Sequence, residues 1–151
     1  MKKIYMDACC FSRPFDDLRQ PRILLEAEVI LYVFEMSEVF GWSIVSSAML
    51  DKEIFHVSTL KESMELYRTK ASKNEYVEIN ETIVERARSF REHGIKPADS
   101  LHLALAEHAD VNVFLTTDDK FLRKAQKLTA IRVESPVKWA MEENDDDQSA
   151  D

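Results

Sequence analysis

A small set of acids, scattered along the chain, carries the chemistry this sequence suggests. Asp7 closes the apolar stretch KIYMD. Asp99 opens the run in IKPADSLHLALA, Asp118 and Asp119 end VNVFLTTDD, and Asp51 and Glu53 fall within SSAMLDKEIF. Taken singly, each has an ordinary reading. A strand-end aspartate accepts hydrogen bonds from the next loop, Asp99 and Asp118 or Asp119 are good helix caps, and Asp51 and Glu53 favour a helix start. Taken together, carboxylates brought to one point repel unless a cation joins them. Mg²⁺ or Mn²⁺ fits an all-oxygen ligand set. Such an ion can activate water and stabilise an in-line phosphoryl transfer, which leads from acid placement to phosphodiester hydrolysis.

Other chemistry finds less support. His102 shares a helix face with Asp99, one turn on, and reads as a core or supporting histidine. His56, His93 and His108 show no ligand spacing, and Ser46 and Ser47 read as helix caps without a His/acid partner. Cys9 and Cys10 are adjacent, a poor arrangement for a disulfide, and no Cys/His spacing suggests zinc. Neither of the two glycines follows a strand, so the phosphate loops of dinucleotide and P-loop proteins are absent. A phosphatase of the haloacid dehalogenase type needs a second acid two residues after the first, where Asp7-Ala8-Cys9 has none.

The elements that must position the acids follow from periodicity and caps. Residues 2–6 read as a buried strand, followed by a loop that ends at Pro21. Residues 22–40 form a long helix closed by Gly41. WSIV at 42–45 is a strand, and a capping serine opens the next helix. Ser58 is placed to cap TLKESMELYRTKAS, and YVEI at 76–79 is a strand. Asn80 and Gly94 bracket the helix ETIVERARSFREH. Helix 98–109 leads into strand 111–119, then helix FLRKAQKL, strand 131–134 and a short terminal helix SPVKWAME. Strands alternating with helices, some strands almost wholly apolar, predict a parallel sheet covered on both faces. Ligands of such sheets bind beyond the carboxyl ends of the strands, where Asp7, Asp118 and Asp119 fall.

Composition bounds the answer. The chain of 151 residues suits one domain with a sizeable core. Net charge is −8, but six of the 28 acids lie in EENDDDQSAD, leaving 22 acids against 20 Lys and Arg before it. That acidic stretch reads as a disordered, solvating tail. The rest carries no general basic footprint for coating a duplex. No apolar run reaches membrane-spanning length, and Asp7 interrupts the first one too early for a signal peptide, so a cytoplasmic protein is expected.

In their order, YMDAC, VSSAMLDKEI, KPADSLHLALA and the strand ending TTDD resemble the PIN domain, the metal-dependent ribonuclease fold of VapC-type toxins. SPVKWA resembles the proline-containing segment that closes many such domains, so the likeness covers about residues 3–140. It implies a three-layer α/β/α domain over 1–140, followed by the acidic tail 141–151. It further implies an endoribonuclease that hydrolyses single-stranded RNA with Mg²⁺ or Mn²⁺, a homodimer and an antitoxin partner. Asp7, Asp99 and Asp118 match the family's metal-binding aspartates. Glu53 is the first choice for the fourth acid, with Asp51 as the alternative and Asp119 as a further candidate. Ala8 and Cys9 stand where many members carry Thr, Ser or Asn. Ser12 is the nearest hydroxyl and Arg13 the nearest cation, which makes both candidate substrate contacts. The rival reading is a non-catalytic PIN-like interaction module.

Overall fold

A computed structural model describes residues 2–57, 60–71 and 75–149. Four strands form the central sheet: β1 (Lys3–Met6), β2 (Ser43–Ile44), β5 (Val113–Leu115) and β6 (Val133–Glu134), in the order β2-β1-β5-β6 and all parallel. Helices flank this sheet, as the alternation of elements predicted. Two further strands, β3 (Ser46–Ser47) and β4 (Tyr76–Val77), pair in parallel as a separate small sheet. The helices are α1 (Ala8–Ser12), α2 (Pro21–Phe40), α3 (Ala48–Asp51), α4 (Lys61–Lys70), α5 (Glu81–Glu92), α6 (Pro97–His108), α7 (Asp119–Gln126) and α8 (Pro136–Ser149). Among the described residues, no helix is long and apolar enough to cross a membrane.

The strand order fixes where a site can form. The chain leaves β1 for β2 on one side, and β5 later inserts on the other, so β1 and β5 are central neighbours at a topological switch point. A crevice opens there, beyond the carboxyl ends of the strands. Met6 pairs with Leu115, and the Asp7 amide donates to the Leu115 carbonyl at 3.0 Å. Asp7 and Thr116 therefore leave the sheet side by side.

The core beneath is dense. Ile4, Tyr5, Met6, Phe114, Leu115, Leu103 and Leu105 are fully buried. Helix α6 buries Ser100, His102, Leu103, Ala104, Leu105 and Ala106, which is why LHLALA shows no polar stripe. Its alanines let α5 approach closely, while each buried leucine contributes on the order of 2 kcal/mol through its area.

Several elements differ from their sequence expectations. The stretch after β1, expected as a loop, contains α1 and a 3₁₀ turn at Arg13–Phe15, because the short apolar run ACCF has a face to bury, Cys10 against the Leu115 carbonyl and Phe11 against Phe34 and Tyr67. Pro21 is the first residue of α2 rather than the end of a loop, since its missing N–H costs nothing there. Strand β5 covers only three residues of 111–119; Thr116 and Asp118 turn their side chains onto nearby groups and end the ladder. Helix α3 continues as a π-helix over Lys52–Val57. The capping role assigned to Ser58 lies outside the described residues. Gly41 (φ 70°) and Asn80, whose side chain accepts from the Ile83 amide at 3.0 Å, end and begin their helices as expected.

The acidic stretch read as a disordered tail is helical in backbone through Ser149. No glycine or proline interrupts it, and Glu142 and Glu143 pair with Arg132 and Lys2, which anchors its first turn.

Candidate active site

Asp7 ends β1 buried, at 8% exposure. The Thr116 hydroxyl donates to its Oδ2 at 3.1 Å, and that same hydroxyl accepts from the Asp118 amide at 3.2 Å. One threonine thus sets both the first acid and the start of α7. Burial pushes the Asp7 carboxyl above its ordinary value; His102 and Thr116 pull it partly back, while Glu53 adds to the rise.

The helix after β3 supplies Glu53. Ser47 caps α3, its Oγ accepting from the Leu50 amide at 3.1 Å, and the π-helical turns that follow separate Asp51 from Glu53. Asp51 turns away and accepts from the Tyr67 hydroxyl at 2.6 Å. Glu53 turns inward, with Oε1 2.8 Å from Nε2 of His102. Of the two alternatives for the fourth acid, the fold brings Glu53 to Asp7. Ligand-capable atoms of Asp7, Glu53 and His102 all lie within 4.8 Å of one another.

His102 is buried, and both ring nitrogens are engaged. Nδ1 lies 2.6 Å from the Tyr5 hydroxyl, which in turn lies 2.8 Å from Ser47 Oγ. Burial alone would depress the His102 pKa, but the Glu53 hydrogen bond and the carboxylates of Asp7, Glu53 and Asp99 outweigh it and raise the value. With Nε2–H donating to Glu53, Nδ1 accepts the Tyr5 proton. With a second proton, Nδ1 donates to Tyr5, which then donates to Ser47. The chain Ser47–Tyr5–His102–Glu53 is satisfied in both states, so the imidazole braces Glu53 rather than offering a free nitrogen to an ion.

Asp99 does not cap α6. The helix begins two residues earlier at Pro97, with Lys96 at the cap position, and Asp99 sits in the first turn. Among the described residues its carboxylate takes no hydrogen bond or ion pair. Burial first, then the charges of Asp7, Asp118 and Glu53, push it up to about 6, against an opposing pull from His102. Asp118 caps α7, its Oδ1 accepting from the Phe121 amide at 3.1 Å. It is exposed and shares a pocket with Asp99.

Asp119 points elsewhere. Both its oxygens accept from Arg22, at 2.9 and 3.0 Å, and this pair holds its carboxyl below the ordinary value. Arg13 is likewise engaged, with Asp16 at 3.0 Å, Thr117 Oγ1 at 2.7 Å and Glu26 at 3.5 Å. It ties the turn after α1 to the loop that presents Asp118. Ser12 lines a cleft with Ala8, Cys9, Lys52 and Glu53, and its Oγ accepts from Ser63 at 3.3 Å. Both cysteines are free thiols; Cys10 is buried against the Leu115 carbonyl at 3.6 Å.

The sequence reading missed the supporting residues Tyr5 and Thr116. A tyrosine inside an otherwise apolar buried strand needs a partner for its hydroxyl, which was a usable signal. The role of Thr116 depends on the β1–β5 register and had no local signature.

The sequence matches the PIN domain family over residues 4–127, which takes in Asp7, Asp51, Glu53, Asp99, Asp118 and Asp119. The chain belongs to the PIN domain family. PIN domains are generally nucleases and typically use divalent metals. No curated protein matches this PIN domain in sequence. Among solved structures, it resembles the crystal structure of FitAcB from Neisseria gonorrhoeae, with a TM-score of 0.59 and 19% identity over 88% of this chain and 97% of that one. It also resembles FitAB bound to an IR36 DNA fragment, at a TM-score of 0.58 and 19% identity over 89% of this chain and 95% of that one. At that identity the likeness speaks for the fold.

The donor set suits a hard divalent cation. Asp7 offers a buried carboxylate and Glu53 and Asp99 half-buried ones, and the pKa values of Asp7 and Asp99 are raised by burial and mutual repulsion. That is the electrostatic signature of a site that gains from a positive charge.

Proposed function

We propose that this PIN domain is an endoribonuclease that hydrolyses phosphodiester bonds of single-stranded RNA with Mg²⁺ or Mn²⁺. The observation that carries this reading is the convergence of Asp7, Glu53 and His102 at the end of β1, with Asp99 coupled electrostatically to them. Asp7, Glu53, Asp99 and Asp118 would hold the ion, directly or through water. Bound there, a divalent cation supplies Lewis acidity, which lowers the pKa of water and offsets charge on the phosphoryl group.

The chain's own residues supply order. Thr116 fixes the Asp7 carboxylate, His102 fixes Glu53, and the α7 amides hold one oxygen of Asp118 while the other stays available. Asp99 contributes a half-buried carboxylate with no competing partner among the described residues. Carboxylates already held in place need no reorganisation to receive an ion. No protein nucleophile is required.

A protein partner of the antitoxin kind and a homodimer belong to the same reading. Leu24, Leu25 and Leu31, exposed on α2, offer an apolar surface for either. That surface also gives the interaction-module reading its one specific support.

The test is cleavage of mixed-sequence single-stranded RNA with Mn²⁺, with and without chelator, beside Asp7→Asn. Chelator-sensitive cleavage lost in Asp7→Asn is expected. Equal cleavage by both proteins overturns the reading.

A further inference from the structure

The cluster faces an electrostatic problem that a cation alone does not solve. Asp7, Glu53, Asp99 and Asp118 carry four formal negative charges, so one divalent ion leaves the mouth negative toward a polyanion. The whole chain, at −8, adds no long-range attraction. Any phosphodiester substrate therefore needs local positive charge beside the site.

That charge is present on one rim. The pocket containing Asp99 and Asp118 is also lined by Lys96, Lys120 and Lys124, over a floor that includes Ile95 and Phe121. Lys96 and Lys120 are exposed, and among the described residues neither makes a hydrogen bond or ion pair through its side chain. Neighbouring arginines are spent otherwise, Arg13 on Asp16 and Glu26, and Arg22 on Asp119 and Glu26. Lys124 is held over the pocket by donating to the Gly94 carbonyl at 3.0 Å. Gly94 adopts φ 93°, a conformation side chains disfavour, and this turn aims its carbonyl at Lys124. The three lysines come from two segments, the entry to α6 and the first two turns of α7. These are the segments that present Asp99 and Asp118.

We infer that Lys96, Lys120 and Lys124 form a phosphate-binding track for single-stranded nucleic acid, leading away from the carboxylate cluster on the Asp99–Asp118 side. It rests on the nuclease reading above and assigns the side of the cluster over which the flanking nucleotides run. Lys52 lines a second cleft, the one shared by Ser12 and Glu53, so positive charge also stands beside that acid. Lysines suit this role because a point charge on a flexible stem follows a backbone without demanding one base sequence.

Counterion release makes the track measurable. Each phosphate neutralised on a single strand contributes about −0.7 to the slope of log K against log salt. The triple variant Lys96→Ala/Lys120→Ala/Lys124→Ala should lose about two units of slope. Binding of a labelled 12-nucleotide single-stranded RNA is followed by fluorescence anisotropy with Ca²⁺, the RNA being checked for integrity on a gel. Mn²⁺ binding is measured in parallel by calorimetry.

The expected result is weaker RNA binding, by ten-fold or more at low salt, with a shallower slope and Mn²⁺ binding within about two-fold of wild type. Lys127→Ala, on the far end of the same helical segment and outside the pocket, should match wild type. Lys120→Glu alone should weaken RNA binding with an unchanged melting temperature, which separates the effect from misfolding. Wild-type slope and affinity in the triple variant overturn the track while leaving the nuclease reading intact. Mn²⁺ binding without any RNA binding by the wild type also overturns it. Absence of both Mn²⁺ and RNA binding in the wild type overturns the two together.

Discussion

His102 Nε2 and Glu53 Oε1 lie 2.8 Å apart, and the other face of that imidazole is closed by the Tyr5 hydroxyl at 2.6 Å. The histidine is thus a brace between a strand and a helix, and the acid it holds is the one facing Asp7. Removing the brace should cost metal affinity without removing a ligand. For His102→Ala the expected loss in Mn²⁺ affinity is roughly 10- to 100-fold. His102→Gln, which keeps a donor toward Glu53, should recover part of it. Calorimetry checks both, and undiminished affinity in His102→Ala would refute the bracing role.

Asp51 and Glu53 should separate cleanly. Glu53→Gln is expected to lower Mn²⁺ affinity at least ten-fold with little effect on melting. Asp51→Asn is expected to leave Mn²⁺ affinity within about two-fold and to destabilise by about 1 kcal/mol, since the Tyr67 hydroxyl loses its charged acceptor. The reverse pattern would make Asp51 the metal-side acid.

Asp99 predicts a pH dependence of the metal-free protein. Its carboxyl is raised in the folded state from 3.8 to about 6, so the folded state holds the proton more tightly than the unfolded chain. Its contribution is therefore most favourable at low pH and is lost as pH rises from about 4 through 6. Asp99→Asn should raise stability at pH 7.5 by about 1 kcal/mol, a figure already reduced for partial exposure. The gain should vanish near pH 4, and saturating Mn²⁺ should abolish or reverse it. Chelated thermal melts across that range decide the matter; a variant less stable than wild type at pH 7.5 contradicts the repulsion.

Tyr5→Phe tests the buried chain from its other end. The change leaves His102 Nδ1 and Ser47 Oγ short of a partner in the core, at a cost of about 1–3 kcal/mol. Denaturant unfolding should register this as a lower midpoint with an unchanged slope.

Arg22→Ala, by contrast, should cost under about 1 kcal/mol, because the Arg22–Asp119 pair is well exposed on both sides and Arg13 still faces the buried Glu26 that Arg22 also reaches. Its effect should fade further in high salt. A loss above 2 kcal/mol in chelated protein would mean the pair orders the Asp118 loop, not merely its surface.

The sheet was legible in the sequence because β1 and β5 are buried on both faces and so read as apolar runs. The acids were legible because each sits where a strand ends or a helix begins. What escaped was whatever depends on two distant segments meeting. Thr116 reaches Asp7 only through the Met6–Leu115 register, 109 positions apart. The choice between Asp51 and Glu53 depends on π-helical turns that shift the face of a helix by a fraction of a turn. Asp99 looked like a cap because it precedes the apolar run, yet Pro97 opens the helix earlier at little cost. The acidic end looked unstructured by composition, while Arg132 and Lys2 supply the opposite charges that composition does not place.

The pairing of β1 with β5 also orders events in time. The first carboxylate leaves the ribosome with residue 7 and the last with residue 118, and they meet only when the two strands dock. Until then the nascent polypeptide holds isolated acids with no cause to gather a cation. Metal-dependent hydrolysis of the kind proposed would therefore wait for closure of the sheet.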